Sequence, residues 1–571
     1  MSLRAALGLA ILLACSLRAD ISGIVRDAES LDPIAGAFIH LRSDGGAAGV
    51  ITGIDGRFTL AVNPTVVSEI AASIPYNRAA PINYLIGSSF ASNGESDVLI
   101  KLDRLPATDD PGYTPASSLT CSGCHPTVYS QWSSSNHADT ARNSWVMDLY
   151  SGNGTPGGGS GYVYRSSHNP GNTGFCATCH TPMAEVRNPG KVYLDEVSET
   201  GALEGVNCVS CHQLDAVNAG NLNALHVLGK ATYRFPLGKF PAGDYVWGPL
   251  TDSIFGRMQS SHSPLQSDSL ICASCHQYDR PDNGVPGQHT YTEWQASSYS
   301  IPGPGYRGCQ DCHMPPATGL GSVCVFGPDN RAGAERRQHT IIGSTPQMLQ
   351  DNISLTATAA DIGFGRIRVS ADVRNFGAGH SFPTGIAIRN AMLVLTARYN
   401  GVELAQVAGP TIPFWGSDDV PGNQPGDYAG HAGKGFAKVL EGRINGQGPV
   451  VRPVMFIDGE RAFSSTAILS GATDTTAVEF ELPPGVPFGA MVSVEAKLLY
   501  RRAFRAYQVS KGWTTSAHGG PIEIEVANRQ FQVATQGSLF AIPTMERGVL
   551  AVLALALAGS GLALLGARLK F

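Results

Sequence analysis

The sequence predicts a multidomain chain in which a loop-rich, mainly α-helical central region is flanked by two β-sandwich domains and followed by an apolar transmembrane helix at the C-terminus. Three observations carry that expectation. Apolar and polar residues alternate in short runs near both ends of the chain, ten of the 12 cysteines fall between residues 121 and 312 in one repeated pattern, and residues 548–566 hold no charged side chain. At 571 residues the chain is long enough for three or four domains of roughly 150 residues. Charged residues make up only 15% while Gly and Pro number 67 and 36, a balance that favours turns over long amphipathic helices. A net charge of -6 with no long basic run excludes a nucleic-acid-binding face.

Residues 1–19 read as an export signal, with Arg4 as the positive start, an apolar run from Ala5 to Ala14 and small residues up to Ala19. Residues 20–104 alternate in short runs such as Ser22-Gly-Ile-Val-Arg-Asp and Asp55-Gly-Arg-Phe-Thr-Leu, which predicts a small β-sandwich. Residues 105–347 have few long periodic segments and a Gly/Ser-rich insert at 151–161, so they read as short helices joined by loops. Alternation returns in residues 348–536, for example in Arg366-Ile-Arg-Val-Ser-Ala-Asp-Val, and predicts a second, larger sandwich. Residues 537–571 close the chain with an apolar stretch of about the ~20 residues that span a bilayer, followed by Arg568 and Lys570, which would face the cytoplasm.

The central region holds the chemistry. Five copies of Cys-x-x-Cys-His occur there: Cys121, Cys124 and His125; Cys176, Cys179 and His180; Cys208, Cys211 and His212; Cys272, Cys275 and His276; and Cys309, Cys312 and His313. Two thiols three positions apart on one helical turn can form thioethers with the two vinyl groups of one haem, and the following His can then coordinate its iron. Zinc sites and disulfides also use paired cysteines, yet neither asks for a His directly after the second one. The expectation is five covalently attached haems c, with the ten cysteines as tethers and the five histidines as proximal metal ligands.

A sixth ligand must come from elsewhere. Once the five motif histidines and the outlying His40, His431 and His518 are set aside, seven remain: His137, His168, His226, His262, His289, His339 and His380. The preferred distal set is His137, His226, His262, His339 and His380. His137 follows a short helical pattern after the first motif, His339 lies 26 residues beyond the fifth, and His380 sits in a Gly- and Pro-framed turn. Iron held by two histidines is coordinatively full and suits electron transfer, which argues against a catalytic haem.

Several segments resemble known families. Pro33-Ile-Ala-Gly-Ala and Thr52-Gly-Ile-Asp-Gly-Arg-Phe resemble the carboxypeptidase regulatory-like domain, which implies spacing or adhesion for residues 20–104. Ile542-Pro543-Thr544 before the apolar stretch resembles the C-terminal sorting signals of Gram-negative bacteria, which implies a membrane hold that a sortase-like protease releases. Gln131-Trp132-Ser133 to His137-Ala138, Phe175-Cys-Ala-Thr-Cys-His-Thr-Pro, Gly205-Val-Asn-Cys-Val-Ser-Cys-His, Thr290-Tyr-Thr-Glu-Trp-Gln-Ala-Ser and Cys312-His-Met-Pro resemble the multihaem cytochromes c related to the tetrahaem cytochrome c and octahaem hydroxylamine oxidoreductase group. That resemblance implies haems packed edge to edge and distal roles for His137, His339 and His380. The group's enzymes keep one five-coordinate haem, often with Lys as proximal ligand, whereas all five motifs here end in His.

The function expected is therefore electron transfer through closely spaced, mostly bis-His haems in an exported protein, periplasmic or at the cell surface and at least transiently membrane-anchored. The alternative is a multihaem oxidoreductase that acts on a small nitrogen or sulfur compound at one open haem. Other redox proteins or quinol-linked donors are the expected partners, with self-association left open.

Overall fold

The computed structural model describes residues 20–536 apart from 43–48, 63, 65, 155–159, 169, 238–244, 256–257, 328–329 and 417–425. The expected export signal at 1–19 and the expected membrane span within 537–571 lie outside the described residues. Among the described residues no helix is long and apolar enough to cross a membrane.

The chain divides into two compact units. The first comprises residues up to Thr345 together with Glu441–Ala462 and Ser510–Gly520, and the second comprises Pro346–Leu440, Phe463–Val509 and the residues from Pro521 onward. The sequence-based division at 347/348 thus needs a correction: two stretches of the expected 348–536 sandwich belong with the first unit. Phe456 packs on Phe175 and Tyr278, Arg280 donates to the Gly459 carbonyl at 2.9 Å, and Trp513 stacks on Trp145 at 4.2 Å between ring centres. Such long-range aromatic and backbone contacts leave no local pattern to read.

The first unit begins with seven short strands: β1 (Ile21–Asp27), β2 (Phe38–Leu41), β3 (Val50–Ile51), β4 (Arg57–Leu60), β5 (Ser68–Ser73), β6 (Gly87–Ala91) and β7 (Val98–Leu102). They form two sheets, ordered β4-β1-β7 and β3-β2-β5-β6. Alternate β1 residues are buried because successive side chains point to opposite faces, and Ile21 and Val25 join Ile39, Leu60, Ile70 and Ile100 in one core. Asp27 is buried at the end of β1, where Arg104 (2.6 Å) and Tyr84 (2.9 Å) donate to its carboxylate.

Short helices and two-stranded ladders follow. The second, third and fifth motifs each occupy a single turn, at Cys176–His180, Cys208–His212 and Cys309–His313, and the fourth ends the helix Leu270–His276. The first motif straddles Ser118–Ser122 and Pro126–Ser133, the latter started by a proline whose missing N–H costs nothing at that position. The ladders are β8 (Leu214–Val217) with β9 (Ala231–Tyr233), β10 (Tyr245–Gly248) with β11 (Gln259–His262), and β12 (Tyr278–Asp279) with β13 (Pro286–Gln288). Apolar clusters here are small; one is only Tyr113, Met183 and Val209 with a few half-buried neighbours.

The second unit is a sandwich. Its four-stranded sheet runs β14 (Ile353–Gly363), β15 (Arg366–Asn375), β21 (Thr473–Glu481), β18 (Gln406–Ala408). The other sheet runs β20 (Arg461–Ser465), β19 (Gly433–Glu441), β16 (Asn390–Tyr399), β22 (Met491–Arg501), β23 (Glu523–Ala534), with β17 (Val402–Glu403) beside β16. β15 alternates buried and exposed positions, whereas β16, at the centre of its sheet, is buried over its first eight residues. Leu355, Val369, Leu393, Phe436, Val478 and Leu498 belong to one continuous core.

Candidate haem-binding site

The five motifs are neighbours. Cys121 lies within hydrogen-bonding reach of Cys208, Cys179 of Cys275 and Cys272 of Cys309. Gln266, just before the helix that ends in the fourth motif, donates to the Cys211 carbonyl of the third at 2.8 Å. The contacts therefore run from the first motif to the third, from the third to the fourth, and from the fourth to both the second and the fifth. Local capping sets the third turn: Asn207, buried before Cys208, accepts from the Ser210 N–H at 3.1 Å while its own N–H donates to the Ser210 hydroxyl at 3.2 Å.

The first motif also closes one helical turn, since the His125 N–H donates to the Cys121 carbonyl at 2.9 Å and Gly123 between them keeps right-handed helical angles. The helix that carries Cys121 runs to Ser122, and Cys124 lies in the turn that continues it. Pro126 ends that turn: its ring crowds the residue before it, and His125 accordingly leaves the helical region at φ -122° and ψ 54°. Cys124 is held there by its own backbone, donating to the Cys121 carbonyl at 3.1 Å and accepting from the Val325 N–H at 2.9 Å. Its thiol is half-buried, as are those of the other motif cysteines except Cys312, which is exposed.

The motif imidazoles share an orientation. Nδ1 donates to a backbone carbonyl in four of them: His125 to Val323 (2.6 Å), His180 to Thr140 (3.1 Å), His212 to Trp247 (2.8 Å) and His313 to Ile342 (2.5 Å). A carbonyl only accepts, so Nδ1 carries the proton and Nε2 presents a lone pair, the tautomer a metal ligand needs. In His276 the Gln288 carboxamide lies 2.8 Å from Nδ1, and its oxygen accepts from the ring after a half-turn of the amide. Burial holds the His180 and His212 imidazoles below the usual histidine range, which keeps them neutral.

Two of the expected distal residues face motif histidines. The rings of His137 and His276 lie 6.2 Å apart, and those of His212 and His339 lie 6.4 Å apart. Two imidazoles sharing one metal put their centres about 6.2 Å apart, with about 2 Å for each metal–nitrogen bond and about 1.1 Å from nitrogen to ring centre. The two separations match that value. Burial, followed by the proximity of His313, lowers His137 to about 4. Burial and then His212 lower His339 to about 4. Both rings are accordingly neutral at neutral pH, and the His137 Nδ1 is sealed from solvent with no hydrogen-bond partner among the described residues.

The elements around them hold these rings. His339 donates its backbone N–H to Gln131 at 2.9 Å, and Trp132 donates Nε1 to the Val206 carbonyl at 2.9 Å, so one helix anchors both. Val206 donates to the His137 carbonyl at 3.0 Å. Gly205 makes that approach possible: its φ is +68°, and a Cβ there would come within 2.3 Å of the Thr140 hydroxyl.

The remaining expected residues have the following contacts. His226 donates Nδ1 to the buried Glu185 carboxylate at 2.7 Å, and its Nε2 faces Gly190, where a Cβ would lie 3.2 Å away. His262 ends β11 with the carbonyls of Gly248, Pro249 and Leu250 around it. His380 lies in the second unit, after β15, with Nδ1 3.1 Å from the Ser381 carbonyl. His289, which the sequence ranks below these, turns Nε2 onto Asp279. Glu185 and the carbonyls of Thr140, Trp247, Val323 and Ile342 escaped sequence reasoning. Four act through the main chain and leave no residue-type signal, while Glu185, five positions after His180, carries a signal only in its charge.

The model of the family described as cytochrome c554 and c-prime matches residues 120–213, which hold the first three motifs. Over those residues the chain is similar to that family. A solved structure of a penta-heme cytochrome c552 from Thermochromatium tepidum is 22% identical, covering 73% of this chain and 99% of that one, with a TM-score of 0.49. AvmM, which catalyses macrocyclization in alchivemycin A biosynthesis, is 12% identical over 34% of this chain and 93% of its own, with a TM-score of 0.15. A PapD-like domain of human CEP192 is 8% identical over 34% of this chain and 89% of its own, with a TM-score of 0.12. No curated protein matches.

Proposed function

We propose that the chain is an exported five-haem c-type cytochrome that relays electrons between redox partners. The observation that carries this reading is the closeness of the five Cys-x-x-Cys-His motifs, whose cysteines approach one another across motifs and whose third and fourth members are bridged by Gln266, because electron transfer needs redox centres side by side. When bound, haem c supplies an iron that passes between ferric and ferrous states. The motif cysteines tether it, and the motif imidazoles bind through Nε2, oriented by the carbonyls that hold Nδ1. His276 with His137, and His212 with His339, are the proposed ligand pairs. His226, His262 and His380 are the proposed distal ligands for the other three motifs, on the strength of their sequence positions.

The Glu185–His226 pair favours one alternative. A buried carboxylate that polarises an imidazole also suits a proton donor beside an open haem acting on a small nitrogen or sulfur compound. Low-temperature electron paramagnetic resonance of the oxidised holoprotein, with ferrous spectra recorded with and without carbon monoxide, separates the two. Low-spin signals alone and no carbon monoxide shift are expected for the relay. A high-spin ferric signal that nitrite or hydroxylamine abolishes would overturn it in favour of the enzyme.

A further inference from the structure

The small N-terminal sandwich makes three separate contacts with the surroundings of His212. The first is through Trp247, whose carbonyl accepts from the His212 ring. Trp247 is fully buried, and its ring meets Tyr76 edge-on at 5.4 Å in a cluster with Leu85 and Leu105. The second is backbone pairing. β11, which pairs in parallel with the strand that carries Trp247, receives the Tyr76 N–H on the His262 carbonyl at 2.7 Å and the Ile86 N–H on the Ser260 carbonyl at 2.9 Å. The third is through Asp215, three residues after His212. Its buried carboxylate accepts from the Tyr76 hydroxyl at 3.0 Å and pairs with Arg78.

We propose that this sandwich is a positioning element for the third motif: by holding Trp247 and Asp215 it fixes the His212 imidazole and so sets the potential of one haem. The proposal rests on the haem reading above. A hydrogen bond from Nδ1–H to a carbonyl makes Nε2 a stronger donor and favours ferric iron. Loosening Trp247 lengthens that bond, weakens the donor and raises the potential. Tyr76 is central because its ring, hydroxyl and N–H serve all three contacts.

The experiment uses the full-length holoprotein with Tyr76→Ala, Tyr76→Phe, Arg78→Gln and, as control, Ile54→Ala on the same sandwich, where Ile54 is 93% exposed. Haem content, spectropotentiometric titration and paramagnetic resonance g-values are read. Tyr76→Ala is expected to raise the potential and move the g-values of one haem only. Tyr76→Phe, which keeps the ring on Trp247, should restore most of the native value, Arg78→Gln should give a smaller shift, and Ile54→Ala none. A fully loaded Tyr76→Ala protein with native potentials, or with all haems shifted alike, overturns the proposal. Should Tyr76→Ala fail to accumulate, unshifted potentials in both Tyr76→Phe and Arg78→Gln overturn it. A wild-type peptide containing Cys208–His212 that carries no haem sinks the underlying reading, and is seen before any substitution is made.

Discussion

The second unit and the motif-bearing part of the first differ in what can hold them together. The sandwich has long strands, one of them buried over its first eight residues, and a continuous apolar core. The motif region has helices of about one to two turns and cores as small as Tyr113, Met183 and Val209 with a few half-buried neighbours. Apolar burial dominates folding free energy, and isolated helices shorter than ~12 residues are marginal in water. In the proposed reading covalently attached haems would complete the core of such a region, whereas the sandwich completes itself.

The largest test of that contrast is to withhold haem. Expressed without a c-type maturation system, residues 105–345 should be digested within the time that leaves the second unit's strands intact, as limited proteolysis with mass spectrometry would show; equal resistance would erase the contrast. Next in size, His137→Ala or His339→Ala in the holoprotein should convert one haem to a high-spin, carbon monoxide-binding form and leave the rest low-spin, read by paramagnetic resonance. Leu355→Ala should instead destabilise the second unit by about 3 kcal/mol, as buried Leu→Ala changes do, without altering haem spectra; chemical denaturation followed by tryptophan fluorescence measures it.

The smallest effect concerns acid. Burial raises the Asp27 carboxyl, but donation by Arg104, the Ser30 and Glu29 amides and Tyr84 outweighs it and holds the group well below the usual carboxylate range. Its contribution is therefore complete above an unfolded value of ~3.9 and is lost as pH falls from there toward the lowered folded value. Asp27→Asn should flatten the acid limb of the first sandwich's thermal stability below about pH 4, which circular dichroism at several pH values would detect.

What was legible in the sequence follows from how local each constraint is. Thioether chemistry fixes Cys and His within five residues, so all five motifs stand out, and pleating fixes alternation, so β1 and β15 are readable from Ile21 to Asp27 and from Arg366 to Asn375. The end of the first motif's helical turn at His125 has a local signal in Pro126. That His137 follows the first motif yet faces His276 of the fourth depends on how separate turns pack, which spacing does not encode. The carbonyl acceptors are invisible for a related reason, since any residue at Trp247 or Val323 would offer the same atom. The inclusion of 441–462 and 510–520 in the first unit was missed because neither stretch breaks the composition around it.

That last feature also imposes a timetable. Trp513 donates to the Asp148 carboxylate across 365 residues of chain, at 2.7 Å, and Lys511 reaches the Asp148 carbonyl at 3.1 Å. A chain delivered from its N-terminus exposes Asp148 long before Trp513 arrives. If the chain is exported and loaded as proposed, every motif cysteine would have emerged by then, so attachment would have its opportunity before residues 510–520 close this side of the first unit.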